Sequence, residues 1–88
     1  MRQFDIDDFH KTNDMSLVTF LKLKGHSPQD IAWSGGTCFW IFRVSDPLLD
    51  LMDNFNEGKA LVEPREYNKV FSTTKKEFYD HPDRPSRR

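Results

Sequence analysis

The chain of 88 residues has the length of one small domain, and its 13 Lys and Arg residues nearly balance its 14 Asp and Glu residues. Aromatic residues make up 14% of the chain, which excludes the aromatic-poor composition of a disordered protein. No apolar stretch approaches the roughly 18 residues that a membrane-spanning helix needs. Residues 1–5 contain no apolar core of a signal peptide. We therefore expect a cytoplasmic domain with no membrane association.

One domain is predicted over residues 1–80, followed by a basic tail over residues 81–88. The tail contains two prolines and no apolar side chain that could anchor it. A segment of that composition gains little free energy from ordering. We therefore expect the tail to be disordered.

The predicted elements begin with an extended segment at residues 4–9 and a helix over residues 14–24. Thr12 or Asn13 is expected to cap this helix, because short polar side chains accept hydrogen bonds from the first backbone amides. Gly25 is expected to end it in the left-handed conformation that glycine adopts most readily.

A β-hairpin is predicted next, with strands at residues 31–33 and 38–44 around Gly35-Gly36. Two consecutive glycines can adopt the positive φ angles of a tight turn. In the second strand, the alternate positions with the longer apolar run are predicted to face the core: Cys38, Trp40, Phe42 and Val44. The opposite face carries Phe39, Ile41 and Arg43.

A second helix is predicted between a cap at Ser45 or Asp46 and a terminating Gly58. Its apolar residues recur at helical spacing and predict a buried stripe, while its acidic residues lie on the solvent side.

Residues 60–62 are apolar and are predicted to be a short extended segment that could form a third strand. A third helix is predicted from Pro64 to about Tyr79, with a bend or an early end at residues 72–74. The fold class is therefore α+β, with a two- or three-stranded antiparallel sheet built on the central hairpin and packed against about three helices.

No combination of residues in the sequence predicts catalysis. Asp5, Asp7 and Asp8 are close together, but no base or nucleophile accompanies them. The only cysteine, Cys38, opens an apolar strand and is expected to be a small buried side chain. The three histidines have no metal-ligand spacing. We expect a protein that is not an enzyme and has no catalytic residue, cofactor or metal site.

The order of helix ends, strands and prolines resembles that of the DUF5659 family, a small family of uncharacterised domains met mainly in bacteria and phages. The resemblance covers residues 12–80 and rests on these segments: Asp14 with Leu17 to Leu21, Lys24-Gly25-His26, Trp40-Ile41-Phe42, Ser45 to Leu48, Asn54 to Gly58, Val62 to Tyr67 and Lys75 to Tyr79. It implies a phage or mobile-element origin and supplies no catalytic residues.

The leading interpretation is a small adaptor or inhibitor that binds another protein. Phe39, Ile41 and Arg43 of the hairpin and an acidic row on the second helix are its predicted contacts. The acidic row consists of Asp46, Asp50 and Asp53, in a segment that contains no basic residue. Such a row could mimic the phosphates of a nucleic acid.

Two alternatives stay open. A nucleic-acid-binding module would use the basic residues near the C-terminus: Lys69, Lys75, Lys76, Arg84, Arg87 and Arg88. A homodimer or larger homo-oligomer would use Phe39 and Ile41 as its self-interface.

Overall fold

The computed structural model describes residues 8–82. Three strands and three helices follow one another in the order β1 (Phe9–Thr12), α1 (Met15–Leu23), β2 (Asp30–Ser34), β3 (Thr37–Arg43), α2 (Asp46–Asn56) and α3 (Pro64–Asp80). The predicted α+β class is confirmed.

β3 lies at the centre of an antiparallel sheet of order β1-β3-β2. Ser34 pairs with Thr37, so the loop of the predicted hairpin is the pair Gly35-Gly36. Both glycines have positive φ angles, 58° and 81°, as a two-residue turn that matches the strand twist requires.

All three helices pack on one face of the sheet, which we call the inner face. Cys38, Trp40 and Phe42 of β3 point into it and are buried, as their alternation predicts. They form one core with apolar residues of the first two helices, including Leu21 of α1 and Leu48 of α2. α3 joins this core through partly buried residues, since the Phe78 ring lies 5.1 Å from that of Trp33. Val44, the fourth residue of the predicted core set, is half-buried and follows the end of β3.

The third strand is β1, and the prediction that residues 60–62 form it is wrong. Both sides of β3 are occupied by β1 and β2. Residues 60–62 instead connect α2 to α3, and the Leu61 side chain is 81% exposed there.

The N-cap of α1 is Asp14, so the predicted cap at Thr12 or Asn13 is wrong. The Asp14 carboxylate accepts hydrogen bonds from the backbone amides of Ser16 (2.9 Å) and Leu17 (3.3 Å). Thr12 contacts the cap residue itself, because its hydroxyl accepts a hydrogen bond from the Asp14 backbone amide at 3.1 Å.

α3 continues unbroken through residues 72–74, so the predicted early end is wrong. The hydroxyls of Thr73 and Thr74 donate to the carbonyl oxygens of Lys69 and Val70 in the preceding turn. Thr74 is fully buried, which places this part of α3 in the interior rather than in solvent. Tertiary packing thus overrides the low helix propensity of the segment.

Candidate binding surfaces

The face of the sheet that the three helices leave open carries an apolar and cationic surface. Its apolar and cationic part, which we call the outer face, consists of Phe9 and Lys11 of β1 and Phe39, Ile41 and Arg43 of β3. The register places Asp30 and Ala32 of β2 on the same side of the sheet, opposite Ile41 and Phe39. Strand pairing places Phe9 opposite Arg43 and Lys11 opposite Ile41. The outer face is therefore a contiguous patch on two neighbouring strands.

Both aromatic rings of the outer face lie under a positive charge. The Lys11 ammonium is 4.8 Å from the centroid of the Phe39 ring, and the Arg43 guanidinium carbon is 6.0 Å from that of Phe9. These distances are those of cation–π pairs. Phe9 is nevertheless 47% exposed, so much of its ring remains open to a partner.

The structure brings together the three predicted hairpin residues and adds two that sequence reasoning missed. Phe39, Ile41 and Arg43 share the outer face as predicted. Phe9 and Lys11 join them only because β1 pairs with β3, a contact between residues far apart in the chain. The sequence of β1, Phe-His-Lys-Thr, has no apolar alternation that would predict this strand.

The acidic row lies on α2 rather than on the sheet. Asp46, Asp50 and Asp53 are exposed on α2, whose buried side inserts Leu48 into the core beneath the inner face. Asp46 follows Arg43, the last residue of β3, by only three positions. The acidic row and the outer face therefore belong to different elements of the fold, and the start of the row follows directly from the end of β3.

The basic residues of α3 that the nucleic-acid alternative would use are exposed. Lys69 and Lys76 lie about two turns apart along one stripe of the helix, and Lys75 flanks it. The Lys76 ammonium forms an ion pair with Asp80 at 3.4 Å. The other predicted basic contacts lie outside the described residues: Arg84, Arg87 and Arg88.

A partly buried polar network connects α3 to α1 and β3. One carboxylate oxygen of Glu77 accepts hydrogen bonds from the Lys22 ammonium at 2.7 Å and from the Trp40 indole N–H at 3.0 Å. Lys22 also donates to the Thr74 hydroxyl at 3.1 Å. We call these four residues the Glu77 network. Its role is to give the indole of a fully buried tryptophan an acceptor.

A groove of about 460 Å³ lies beside this network, lined by Lys22, Ser27, Pro28, Gln29, Asp30, Ile31, Glu77 and His81. The His81 ring closes one side of it, because its Nε2 lies 2.8 Å from the carbonyl oxygen of Ile31. A carbonyl oxygen only accepts, so this nitrogen carries the proton and donates.

Cys38 and His10, two titratable residues that could carry chemistry, are buried and half-buried in the fold. Burial raises the pKa of the Cys38 thiol, and the nearby Glu77 carboxylate raises it further, so the thiol form is favoured. Burial lowers the pKa of His10. Within residues 8–82, no group of three or more His, Cys, Asp or Glu side chains could hold a metal ion. Asp5 and Asp7 lie outside this range.

In the described part of the chain, no helix is both long and apolar enough to cross a membrane.

No protein-family model matches the sequence, and neither a curated protein nor a solved structure matches it. The resemblance to the DUF5659 family therefore stays a prediction, and function is argued from the surfaces themselves.

Proposed function

We propose that this domain is a non-catalytic binding module that recognises another protein through its outer face. The observation that carries the proposal is the placement of Phe9, Phe39 and Ile41 on a sheet face that none of the three helices covers. Because a small domain needs its large apolar side chains for its own core, aromatic residues left outside the core favour a binding role.

The composition of the outer face suits protein recognition. Aromatic residues and Arg are enriched at the centres of protein interfaces, where they contribute most of the binding free energy. Arg43 and Phe9 are such residues, and their 6.0 Å contact holds the guanidinium above the ring before any partner binds. Less side-chain freedom is then lost on association.

The finer proposal is an adaptor or inhibitor encoded by a phage or mobile element, acting in the cytoplasm of a bacterium. The phage origin rests on the DUF5659 resemblance. The acidic row supports an inhibitor that mimics phosphates, and its place on α2 rather than on the sheet supports an adaptor with two contact surfaces. In such an adaptor, each surface binds a different protein.

Affinity capture with surface variants tests the proposal. Arg43→Glu alters the outer face, Asp50→Lys alters the acidic row, and Arg65→Glu is the matched control on exposed α3. We expect at least one protein captured by the wild type to be retained by Arg65→Glu and lost by Arg43→Glu. A set of captured proteins that Arg43→Glu leaves unchanged would contradict binding through the outer face. Retention of every partner by Asp50→Lys combined with Asp53→Lys would exclude the phosphate-mimic role.

The homo-oligomer alternative has its own measurement. Light scattering gives the mass of the wild type and of Phe39→Asp, since Phe39 lies on the outer face. A dimeric mass that falls to that of a monomer in Phe39→Asp would assign the outer face to self-association. An unchanged monomeric mass in both proteins removes this alternative.

Binding of nucleic acid is the second candidate function, favoured by one observation on α3. Lys69 and Lys75 are exposed and form no ion pair with any described residue. Two such ammonium groups can contact phosphates without first breaking an internal pair. In an amide-resolved NMR titration with short oligonucleotides, this function predicts shifts at residues 69–76 that weaken with added salt. Spectra that stay unchanged at low salt would exclude it.

A further inference from the structure

The two edges of the sheet differ in a way that identifies where an added strand would bind. β1 and β2 are both edge strands, and an edge strand presents backbone groups that can pair with another chain. The backbone direction at each edge follows from the register, because hydrogen-bonded and non-hydrogen-bonded pairs alternate along an antiparallel ladder.

The β2 edge is closed by the end of α3. The two-residue turn makes Ser34 and Thr37 a hydrogen-bonded pair. Backbone direction alternates along the strand, so Ser34 and Ala32 direct their N–H and C=O groups toward β3, and Trp33 and Ile31 direct theirs away from it. The carbonyl oxygen of Ile31 accepts the hydrogen bond from His81 Nε2 at 2.8 Å. A strand that added here would have to displace the His81 ring.

The β1 edge has no such cover from the described residues. The Val44 amide donates to the carbonyl oxygen of Asp8 at 3.2 Å, which makes Asp8 and Val44 a hydrogen-bonded pair. By alternation, Phe9 and Lys11 direct their N–H and C=O groups outward. No described residue bonds to these outward groups. Their side chains belong to the outer face, so this edge and the outer face are continuous.

The positive charge beside the β1 edge favours an acidic partner. Lys11 is exposed on β1 and Arg43 lies across from Phe9. Asp8, which precedes β1 and pairs with Val44, has its side chain on the opposite face by strand alternation. We propose that the β1 edge binds an acidic extended peptide segment of a partner protein as a fourth strand. An apolar residue of that segment lies beside Phe9, and an acidic residue two positions away lies beside Lys11, since alternate residues share a face.

A second copy of this chain is a poorer occupant of the same edge. Pairing β1 with β1 of another molecule would bring two Lys11 and two Arg43 side chains onto one face. Like charges on neighbouring strands oppose pairing. The same charges attract an acidic strand.

The inference rests on the proposed function and gives it a partner class. Its test is an amide-resolved NMR titration of the full chain with the synthetic peptide Thr-Val-Thr-Asp-Thr-Val-Thr-Asp-Thr. We expect shifts and slowed amide exchange at Phe9 and Lys11. The same peptide with Lys in place of both Asp residues is expected to bind at least tenfold more weakly. An absence of shifts at residues 9–12 up to millimolar peptide would overturn the inference.

Two N-methylated versions of this peptide separate strand addition from side-chain binding. Methyl groups on the amides of one alternate set of residues block pairing with β1, and methyl groups on the other set point away from it. We expect one version to lose binding and the other to keep it. Loss with the Val and Asp set indicates an antiparallel strand, and loss with the Thr set indicates a parallel one. Equal binding by both versions would overturn strand addition.

Protein variants test the charge requirement. We expect Lys11→Glu to weaken peptide binding about tenfold, because an attraction becomes a repulsion of similar size. The matched control Arg65→Glu, at an exposed position of α3, is expected to change it less than twofold. Equal effects of the two substitutions would contradict a specific role for Lys11. If peptide binding fails while captured partners still depend on Arg43, the edge inference falls and the outer-face function stands.

Discussion

Substitution of Glu77 by Ala is expected to destabilise the domain far more than a surface change on the same helix. Glu77 is one of several acids on α3, yet its side chain is only 30% exposed and one of its oxygens accepts two hydrogen bonds. Ala is a better helix former than Glu, so a loss of stability cannot come from helix propensity.

The magnitude follows from the groups that the substitution leaves behind. The Trp40 indole N–H is fully buried and loses its acceptor, which costs about 1–3 kcal/mol. Lys22 is 13% exposed and loses its counter-ion, although the Thr74 hydroxyl still accepts from it. Because water can reach the vacated side of the pair, we expect a total of about 2–3 kcal/mol rather than the larger cost of breaking a fully buried pair.

Urea unfolding monitored by tryptophan fluorescence measures this loss. With a slope near 1 kcal/mol per molar urea for a domain of this size, the midpoint is expected to fall by about 2–3 M. Glu77→Gln keeps an oxygen for the Trp40 indole but loses the charge, and we expect it to cost about 1 kcal/mol.

Lys76→Met is the matched control, because it removes an ion pair whose partners are 79% and 63% exposed. We expect a change within about 0.5 kcal/mol. If Glu77→Ala costs no more than Lys76→Met, the assignment of a structural role to the Glu77 network is refuted.

Three further predictions concern individual residues. Burial lowers the pKa of His10 in the folded state below its usual 6.5, so the unfolded chain binds more protons below that pH and stability falls on acidification. His10→Gln should flatten this part of the stability–pH curve, and an unchanged slope would contradict it. Gly36→Ala should cost about 1 kcal/mol, because φ is 81° and the Cβ meets no atom within 4 Å. Gly35→Asn, at φ 58°, should cost less, and an equal cost in thermal unfolding would argue against a backbone origin. Asp14→Ala should cost about 1 kcal/mol as a lost N-cap, whereas Asn13→Ala should be nearly neutral; the reverse order would restore the original cap prediction.

The site was predicted only in part. The alternation of residues in β3 predicted that Phe39, Ile41 and Arg43 share a face, and the structure confirms it. The prediction holds because a strand places successive side chains on opposite sides. Whether helices cover that face depends on where they pack, which no local pattern states. Phe9 and Lys11 could not be assigned to it without knowing that β1 pairs with β3.

The sequence by itself determined the features that depend on neighbouring residues. The hairpin follows from two consecutive glycines that accept positive φ angles, and the core face of β3 follows from its alternating apolar side chains. The end of α1 follows from Gly25, whose φ is 93°. Each of these is decided by backbone sterics or side-chain spacing within a few residues.

Only the tertiary structure decided the identity of the third strand, the continuity of α3 and the role of Glu77. Glu77 and Trp40 are separated by 37 positions in the chain, and their hydrogen bond exists because α3 packs against the inner face of the sheet. Burial converts an acid that would be solvated on an isolated helix into the acceptor for an indole. The residues next to Glu77 in the sequence do not distinguish an exposed acid from a buried one. Its tertiary surroundings decide whether the carboxylate is solvated or accepts a buried hydrogen bond.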